Sequence, residues 1–208
     1  MPALNGIDPQ RLQTDTTYAF SYYAEYIRLN ENDQETLAKN AKVLVEAIPD
    51  FVEGIFRRIF ERPHLLPYFM GPQENYAGES PTLEALLNNG QKEHIILTRK
   101  KQLAEFLVRL FKEPLNTPQI LYIEHFAAVH AKLPVVEVDA MISFVKLEIM
   151  TFILGQRMSQ ADIQSLALAF AKIVEIFGHF VNKARQDKLS GTLGTQSTTK
   201  TKKSSKGA

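Results

Sequence analysis

The side chain best suited to metal chemistry in this sequence is His130, which lies among small and apolar residues in the stretch Tyr122–Met150. No second His, Cys or carboxylate stands at zinc-like spacing around it. His125, five residues earlier, faces roughly the opposite way on a helix with about 3.6 residues per turn. A single protein ligand suits a metal that brings its own equatorial ligands, which is haem. A lone histidine on an apolar face is also common as a hydrogen-bonded core residue, so both interpretations fit His130.

The composition limits the classes of function. The chain has 208 residues, of which 45% are apolar and 23% are charged, so it can bury a sizeable core in one domain. A formal net charge of +1 predicts no strong attraction to nucleic acid or to an anionic membrane. The absence of cysteine excludes disulfides, Cys-ligated zinc, iron–sulfur clusters and thiol catalysis. The N-terminus has no secretory signal pattern and no run of about 18 uninterrupted apolar residues follows, so we expect a cytoplasmic protein.

Apolar residues recur at helical spacing through most of the chain, and no stretch alternates apolar and polar residues as a strand does. Asp15, Asn30 and Ser159 are predicted to cap helices, because their side chains can accept hydrogen bonds from first-turn N–H groups. Pro49 and Pro134 mark helix starts, since proline is tolerated in a first turn but not in a helix interior. The pattern predicts an all-α protein of about seven or eight helices, packed by ridges into grooves around one core.

The composition changes at both ends of this helical region. Residues 1–14 are predicted to be a flexible N-terminal lead, residues 15–187 the folded domain, and residues 188–208 a disordered tail rich in Ser, Thr and Lys. Within the domain, residues 71–90 are rich in Gly, Pro, Asn and Ser, and only TLEALL in this stretch looks helical. The basic run of Arg99, Lys100 and Lys101 lies on a predicted amphipathic helix, where we expect a solvated face.

Three segments resemble the sensor-globin lineage, which comprises the globin domains of globin-coupled sensors and the protoglobins. FVEGIF at 51–56, followed by RPHLLPYF at 62–69, is similar to the protoglobin B-helix and the turn after it. AAVHAKLPVV, around His130, is similar to the proximal segment of the family, and an extra helix at 15–27 is also a family feature. The resemblance spans about residues 15–185. It implies a globin fold, the 3-over-3 helical sandwich, with an extra N-terminal helix.

The resemblance also implies a haem b cofactor, with His130 as the proximal ligand of the haem iron. It assigns Phe56 to the distal B-helix position, which is often tyrosine in this family, and puts Arg99 and Gln102 near positions that face a bound gas. Turned inward, the Gln102 amide would donate a hydrogen bond to the gas; turned outward, it would leave an apolar pocket that favours CO or NO. The implied pocket residues are Phe56, Leu103, Phe106, Val129, Leu133, Met141, Val145 and Phe177.

Two departures from the family pattern concern the distal side. The missing tyrosine removes the usual hydroxyl donor to bound O₂, and the connection between the B-helix and the distal helix is longer than in typical sensor globins. His94 is a candidate for a sixth iron ligand only if the distal helix shifts in register. His64 and His179 are expected at the surface or at helix ends.

The function that the resemblance implies is binding of a diatomic gas (O₂, CO or NO) for sensing or for NO and O₂ handling, in a globin without its own output domain. A separate signalling protein or reductase would then be the partner, and NO dioxygenase, peroxidase or nitrite reductase activity would need external reductant. The alternative is a haem-free globin-fold module for protein interaction, in which His130 is a core residue. A homodimer through the last two helices is a further implication, and the residues that broaden their apolar faces are Leu147, Ile149, Met150, Leu168 and Ile176.

Overall fold

The computed structural model describes residues 6–70 and 78–200, with side chains as far as Lys188. The described residues contain no strand, which confirms the all-α prediction. Two 3₁₀ segments, Pro63–Phe69 and Gly90–Lys92, separate α-helices in the middle of the chain. The α-helices are α1 Pro9–Thr14, α2 Thr16–Tyr26, α3 Glu31–Glu46, α4 Ile48–Phe60, α5 Leu83–Asn89, α6 His94–Lys112, α7 Thr117–His130, α8 Val135–Leu154 and α9 Gln160–Lys200.

All three predicted helix caps are confirmed. The Asp15 carboxylate accepts the N–H of Tyr18 at 3.0 Å at the start of α2. At the start of α3, Asn30 and Asp33 form a reciprocal capping box, with N···O distances of 2.9 and 3.2 Å. The Ser159 hydroxyl accepts the N–H of the third residue of α9 at 3.1 Å. These bonds satisfy first-turn donors that a helix cannot satisfy itself, and they fix where the helices begin.

The described residues form two compact units, each assembled from separate segments of the chain. The first unit takes its described residues from 6–29, 115–139 and 172–200. In it α2 packs on α7, and the Thr16 hydroxyl donates to the Glu124 carboxylate at 2.6 Å. The extra N-terminal helix predicted at 15–27 is therefore present as α2. The buried side chains of this unit include Ala19, Phe20, Ala24, Ile120, Ile123, Ala127, Ile176 and Phe180.

The second unit comprises the described residues of 30–70, 78–114 and 140–171, with α3 and α4 packed on α6. Its core is aromatic and aliphatic: Phe51 meets Phe152 edge to face with ring centroids 5.3 Å apart, and Phe111 lies 6.1 Å from Phe170. These arrangements suit the quadrupole of aromatic rings. The side chains buried most completely here include Leu44, Leu65, Leu66, Leu86, Ile95, Ile96, Ile149 and Ile153.

Two chain ends differ from the predicted pattern. Residues Pro9–Thr14 of the predicted flexible lead form the short helix α1, which begins because the Asp8 carboxylate caps Gln10 and Arg11. At the other end, the helical backbone of α9 continues to Lys200, beyond the predicted boundary at 188. Residues 201–208 of the predicted tail, like residues 71–77 of the uncertain stretch, lie outside the described residues.

One part of α9, Gln160–Lys188, is long and apolar enough to cross a membrane by length and composition. Half of its apolar window is buried within the chain. A core helix of a globular protein passes the same test, so length and composition alone do not assign α9 to a membrane.

Candidate functional site

The position of His130 is determined by both ends of α7. The helix begins where Asn116 accepts the N–H of Gln119 at 3.1 Å. It ends at His130, because the N–H of Ala131 still bonds to Ala127 at 3.1 Å while the next turn tightens, with the N–H of Leu133 donating to the His130 carbonyl at 3.0 Å. Pro134 follows, and it has no N–H with which to continue the helix. His130 is therefore the last residue of a helix whose end is set locally.

The imidazole of His130 is oriented by a backbone carbonyl. Its Nδ1 lies 2.8 Å from the carbonyl oxygen of Phe126, one turn earlier on α7. A carbonyl oxygen can only accept, so Nδ1 is the donor and carries the proton in the neutral ring. The lone pair is then on Nε2, which is the tautomer that an Nε2 metal ligand needs. A bond of this kind from the second nitrogen is the usual support of a metal-ligating histidine.

Two aromatic side chains lie against the His130 ring. The Phe126 ring centroid is 4.9 Å away, and the Phe177 ring meets the imidazole edge to face at 5.8 Å. Phe126 and Phe177 are in turn 6.1 Å apart, so the three rings form one cluster in the first unit. The cluster brings together His130 and Phe177, two of the residues that the resemblance assigned to a haem pocket. It holds the imidazole in an apolar but partly accessible setting.

The other implied pocket residues of this unit are less enclosed. Leu133 is partly buried, whereas Val129 is 45% exposed. His125, on the same helix, is exposed, as expected from its offset of five residues. The exposed face of α7, with His125 and Val129, and the partly buried face, with His130, therefore follow the helical period.

The remaining implied residues lie in the second unit. Phe56 on α4 is only 4% exposed, and its ring centroid is 6.3 Å from that of Phe69. Phe106 is buried, and Leu103 and Gln102 are partly buried. That these residues line a haem pocket stays a prediction.

Met141, one of the implied pocket residues, lines a cleft of about 210 Å³ in the second unit. The cleft lies between α4 and α8, and most of its wall is apolar. Val145, one turn further along α8, is partly buried. The cleft is lined by Ile55, Arg58, Ile59, Arg62, Ala140, Met141, Ser143, Phe144 and Leu147.

The prediction that the basic run is a solvated face is wrong for two of its three members. Lys101 is exposed and lies 3.8 Å from Glu105, one turn along the helix. Lys100, by contrast, is buried, and its ammonium donates to both carboxylate oxygens of Glu53 at 2.8 Å. Arg99 is partly buried with its guanidinium carbon 5.0 Å above the Phe69 ring. Successive residues on a helix point in directions about 100° apart, so one run cannot share one face.

The expectation for His179 is also wrong. Its ring stacks on that of Tyr23 with centroids 4.3 Å apart and planes 15° from parallel, so it belongs to the packing between α2 and α9. Burial lowers the pKa of His179, and the nearby Lys183 ammonium lowers the pKa further. His64 is exposed as expected, and His94, the first residue of α6, is exposed as well.

Sequence reasoning missed several contacts besides the Lys100–Glu53 pair, and a local signal existed for only one of them. The Phe126 carbonyl is four residues before His130, which is the spacing at which a histidine in the last turn of a helix reaches back to the backbone. The stack of Tyr23 with His179 and that of Phe69 with Arg99 join residues 156 and 30 positions apart, respectively. No periodicity within one helix predicts such pairs.

Comparison with known proteins identifies the family. The family model described as Protoglobin matches residues 16–190, most of the chain and close to the span of the predicted resemblance. No curated protein matches the chain. Membership of this family implies the globin fold, which confirms the predicted fold class. The chain belongs to the protoglobin family.

Proposed function

We propose that this chain binds haem b through His130 and, at the haem iron, binds a diatomic gas (O₂, CO or NO) as a sensor-type globin. The observation that carries the proposal is the hydrogen bond between Nδ1 of His130 and the Phe126 carbonyl, at 2.8 Å. Protoglobins typically bind haem. In a chain of this family, a histidine with its proton on Nδ1 is therefore a candidate ligand of the haem iron.

The residues around His130 fit an axial ligand of haem. The carbonyl of Phe126 fixes the ring orientation and the tautomer, so that Nε2 carries the lone pair that an iron ligand needs. The rings of Phe126 and Phe177 offer an apolar surface beside the imidazole, which suits a porphyrin face. Haem, when bound, supplies an iron whose sixth position can take a small gas.

On the gas side, the proposal assigns roles to residues of the second unit. Phe56 replaces the family's tyrosine with a buried ring that has no hydroxyl to donate. Any hydrogen bond to the gas must then come from another side chain, for which Gln102 and Arg99 are our candidates. Leu103, Phe106, Met141 and Val145 are our candidates for the dry wall in this unit.

The test is an absorption spectrum of the purified protein after hemin supplementation, in ferric, dithionite-reduced and CO-bound forms. We expect stoichiometric haem with a histidine-ligated CO complex. His130→Ala should lose this spectrum or change it, because the variant removes the axial nitrogen. The matched control is His125→Ala, an exposed histidine on the same helix, which should bind haem normally.

Normal haem affinity and an unchanged spectrum in His130→Ala would contradict the assignment of the ligand. No specific haem uptake by the wild-type protein would contradict the haem proposal altogether. The chain would then be the haem-free interaction module, with His130 as a core residue held by Phe126. A cytoplasmic location remains part of the proposal, on the composition alone.

We further propose a homodimer through α8 and α9. Leu147 and Leu168, on these two helices, are 64% and 57% exposed and would be covered by a second copy. Ile149 and Ile176 are fully buried within the chain and are not available to a partner, so they do not contribute to the interface. We expect light scattering at micromolar concentration to give twice the mass of the chain. The double variant Leu147→Glu with Leu168→Glu should have the mass of a single chain. A monomeric wild-type protein would rule out this assembly.

A further inference from the structure

The cleft between α4 and α8 lies within the second unit and is formed by two stripes of side chains. Along α4 and just past its end, the lining residues follow the helical spacing i, i+3, i+4 and i+7, and they are Ile55, Arg58, Ile59 and Arg62. The same spacing on α8 gives Ala140, Ser143, Phe144 and Leu147. Two of these α8 residues, Ala140 and Ser143, have small side chains, which leave open a volume of about 210 Å³.

Most of the wall of this cleft is apolar. Ile55 and Ile59 are each only 4% exposed and form its buried part, and Met141 and Phe144 beside them are partly buried. An apolar cavity of about 150 Å³ has room for benzene. The cleft is larger than that, so it has room for one ring or one short chain together with a small polar headgroup.

The charges of the cleft are of one sign. Arg58 and Arg62 both line it, and no carboxylate is among the described residues of its wall. The Arg58 guanidinium reaches across from α4 to α8, since its carbon lies 5.8 Å from the centroid of the Phe144 ring. Its Nη1 donates to Glu61 at 2.7 Å, which leaves other donors among the five N–H groups of a guanidinium. An anionic headgroup is therefore favoured in the cleft over a cationic one.

We propose that this cleft binds a small monocarboxylate, whose apolar body of about six to eight carbons lies against Ile55, Ile59 and Phe144. The carboxylate pairs with the guanidiniums of Arg58 and Arg62, because the N–H groups of a guanidinium match the two oxygens of a carboxylate. The inference goes beyond the proposed function, since this site needs neither iron nor His130.

The first experiment compares three probes by calorimetric titration of the purified protein at constant ionic strength. Sodium benzoate has both the ring and the charge, benzyl alcohol has the ring alone, and sodium acetate has the charge alone. We expect benzoate to bind at least about tenfold more tightly than either, as for other charge-assisted hydrogen bonds on an apolar site. An affinity for benzoate no higher than that for benzyl alcohol, or no higher than that for acetate, would overturn the proposal.

The second experiment removes the charges. The double variant Arg58→Gln with Arg62→Gln should bind benzoate about tenfold more weakly and benzyl alcohol as wild type does. Arg57→Gln is the matched control, because Arg57 is an exposed neighbour on α4 that does not line the cleft, and it should bind both probes normally. Wild-type affinity for benzoate in the double variant would show that the guanidiniums do not hold the carboxylate, and the proposal would fail.

The third experiment fills the space. Ala140→Phe should abolish binding of benzoate and of benzyl alcohol, while the free energy of unfolding stays the same or rises, as for other cavity-filling changes. Ser143→Leu is a second filling variant at an exposed position, and it keeps the test decisive if Ala140→Phe does not fold. Wild-type binding of benzoate to a folded, filled variant would place the ligand elsewhere and overturn the proposal.

A last comparison separates this site from the haem site and from the proposed dimer. Met141 lines the cleft and is also a candidate for the haem pocket, so benzoate is titrated with and without bound hemin. Equal affinities would support the proposal. Mutual exclusion would assign the cleft to the haem pocket and overturn a separate site, while the proposed function, which is read from the haem spectrum, would survive. An affinity that rises on dilution would show that a second copy, in contact with Leu147, fills the cleft instead.

Discussion

His130 and His179 lie in the same unit, and each imidazole contacts an aromatic ring, but their nitrogens meet different surroundings. Nδ1 of His130 bonds to the Phe126 carbonyl at 2.8 Å, and the rings beside it are apolar. His179 lies flat on Tyr23 at 4.3 Å, and its Nε2 is buried with no hydrogen-bond partner among the residues that the structure describes. Burial of a histidine therefore does not identify a ligand. Of these two histidines, His130 is the one whose Nδ1 hydrogen bond sets the tautomer that the proposal needs.

The second unit repeats this contrast with two consecutive cations on α6. Lys100 is buried and paired with Glu53, and Arg99 is partly buried and stacked on Phe69. His130 and Lys100 each have a polar partner within the chain, whereas Nε2 of His179 and Nε of Arg99 have none among the described residues. A matched group contributes to the folded state, whereas an unmatched group lowers stability unless something outside the chain completes it.

The largest effect that sharpens this contrast should come from separating Lys100 from Glu53. The Lys100 side chain is 10% exposed and that of Glu53 is 61% exposed, so the two partners are unequal. Glu53→Gln leaves a buried ammonium without a counter-charge, and we expect a loss of about 1–3 kcal/mol in the free energy of unfolding. Lys100→Met leaves only a solvated carboxylate, and we expect a loss within about 1 kcal/mol.

Urea unfolding of the two variants and of the double variant measures this asymmetry. The double variant should resemble Lys100→Met, because Glu53 matters only while the ammonium is present. Equal losses in the two single variants would show that Lys100 is hydrated after all. Arg99→Gln in the same series should show no loss, since that guanidinium has no carboxylate to lose.

Features set within one helix were predictable from the sequence. The caps at Asp15, Asn30 and Ser159 depend on atoms three residues away, and all three are present. α7 ends at His130, four residues before Pro134, which has no N–H with which to continue the helix. His130 stood out for the same local reason, because small residues and a helix stop surround it.

Features that depend on pairing between helices were not predictable. Lys100 and Glu53 are 47 residues apart, and the sequence does not say which turn of α4 meets which turn of α6. The expectation of a solvated basic face failed for this reason. His179 was expected near the surface because its helix alone gives no sign that α2 would cover it. The globin fold itself was reached through short segments similar to a family, since periodicity predicted only packed helices.

A smaller effect should distinguish the two histidines by pH. The pKa of His179 is lowered in the folded protein by burial and by Lys183, from an ordinary value of 6.5. The unfolded chain therefore binds more protons than the folded chain as pH falls below about 6.5, and the free energy of unfolding should decrease with it. The ring is only partly buried, so we expect a loss below that of Glu53→Gln. His179→Gln should flatten this part of the curve.

The measurement is urea unfolding of the haem-free protein between pH 7.5 and pH 5, with His64→Gln as the control because that histidine is exposed. Other groups also titrate over this range, so the informative quantity is the difference between each variant and wild type at every pH. Wild type should lose stability relative to His179→Gln as the pH falls, while His64→Gln follows wild type. If His179→Gln retained the full wild-type slope, the imidazole would be hydrated in the folded protein. The contrast with His130 would then rest on the carbonyl of Phe126 alone.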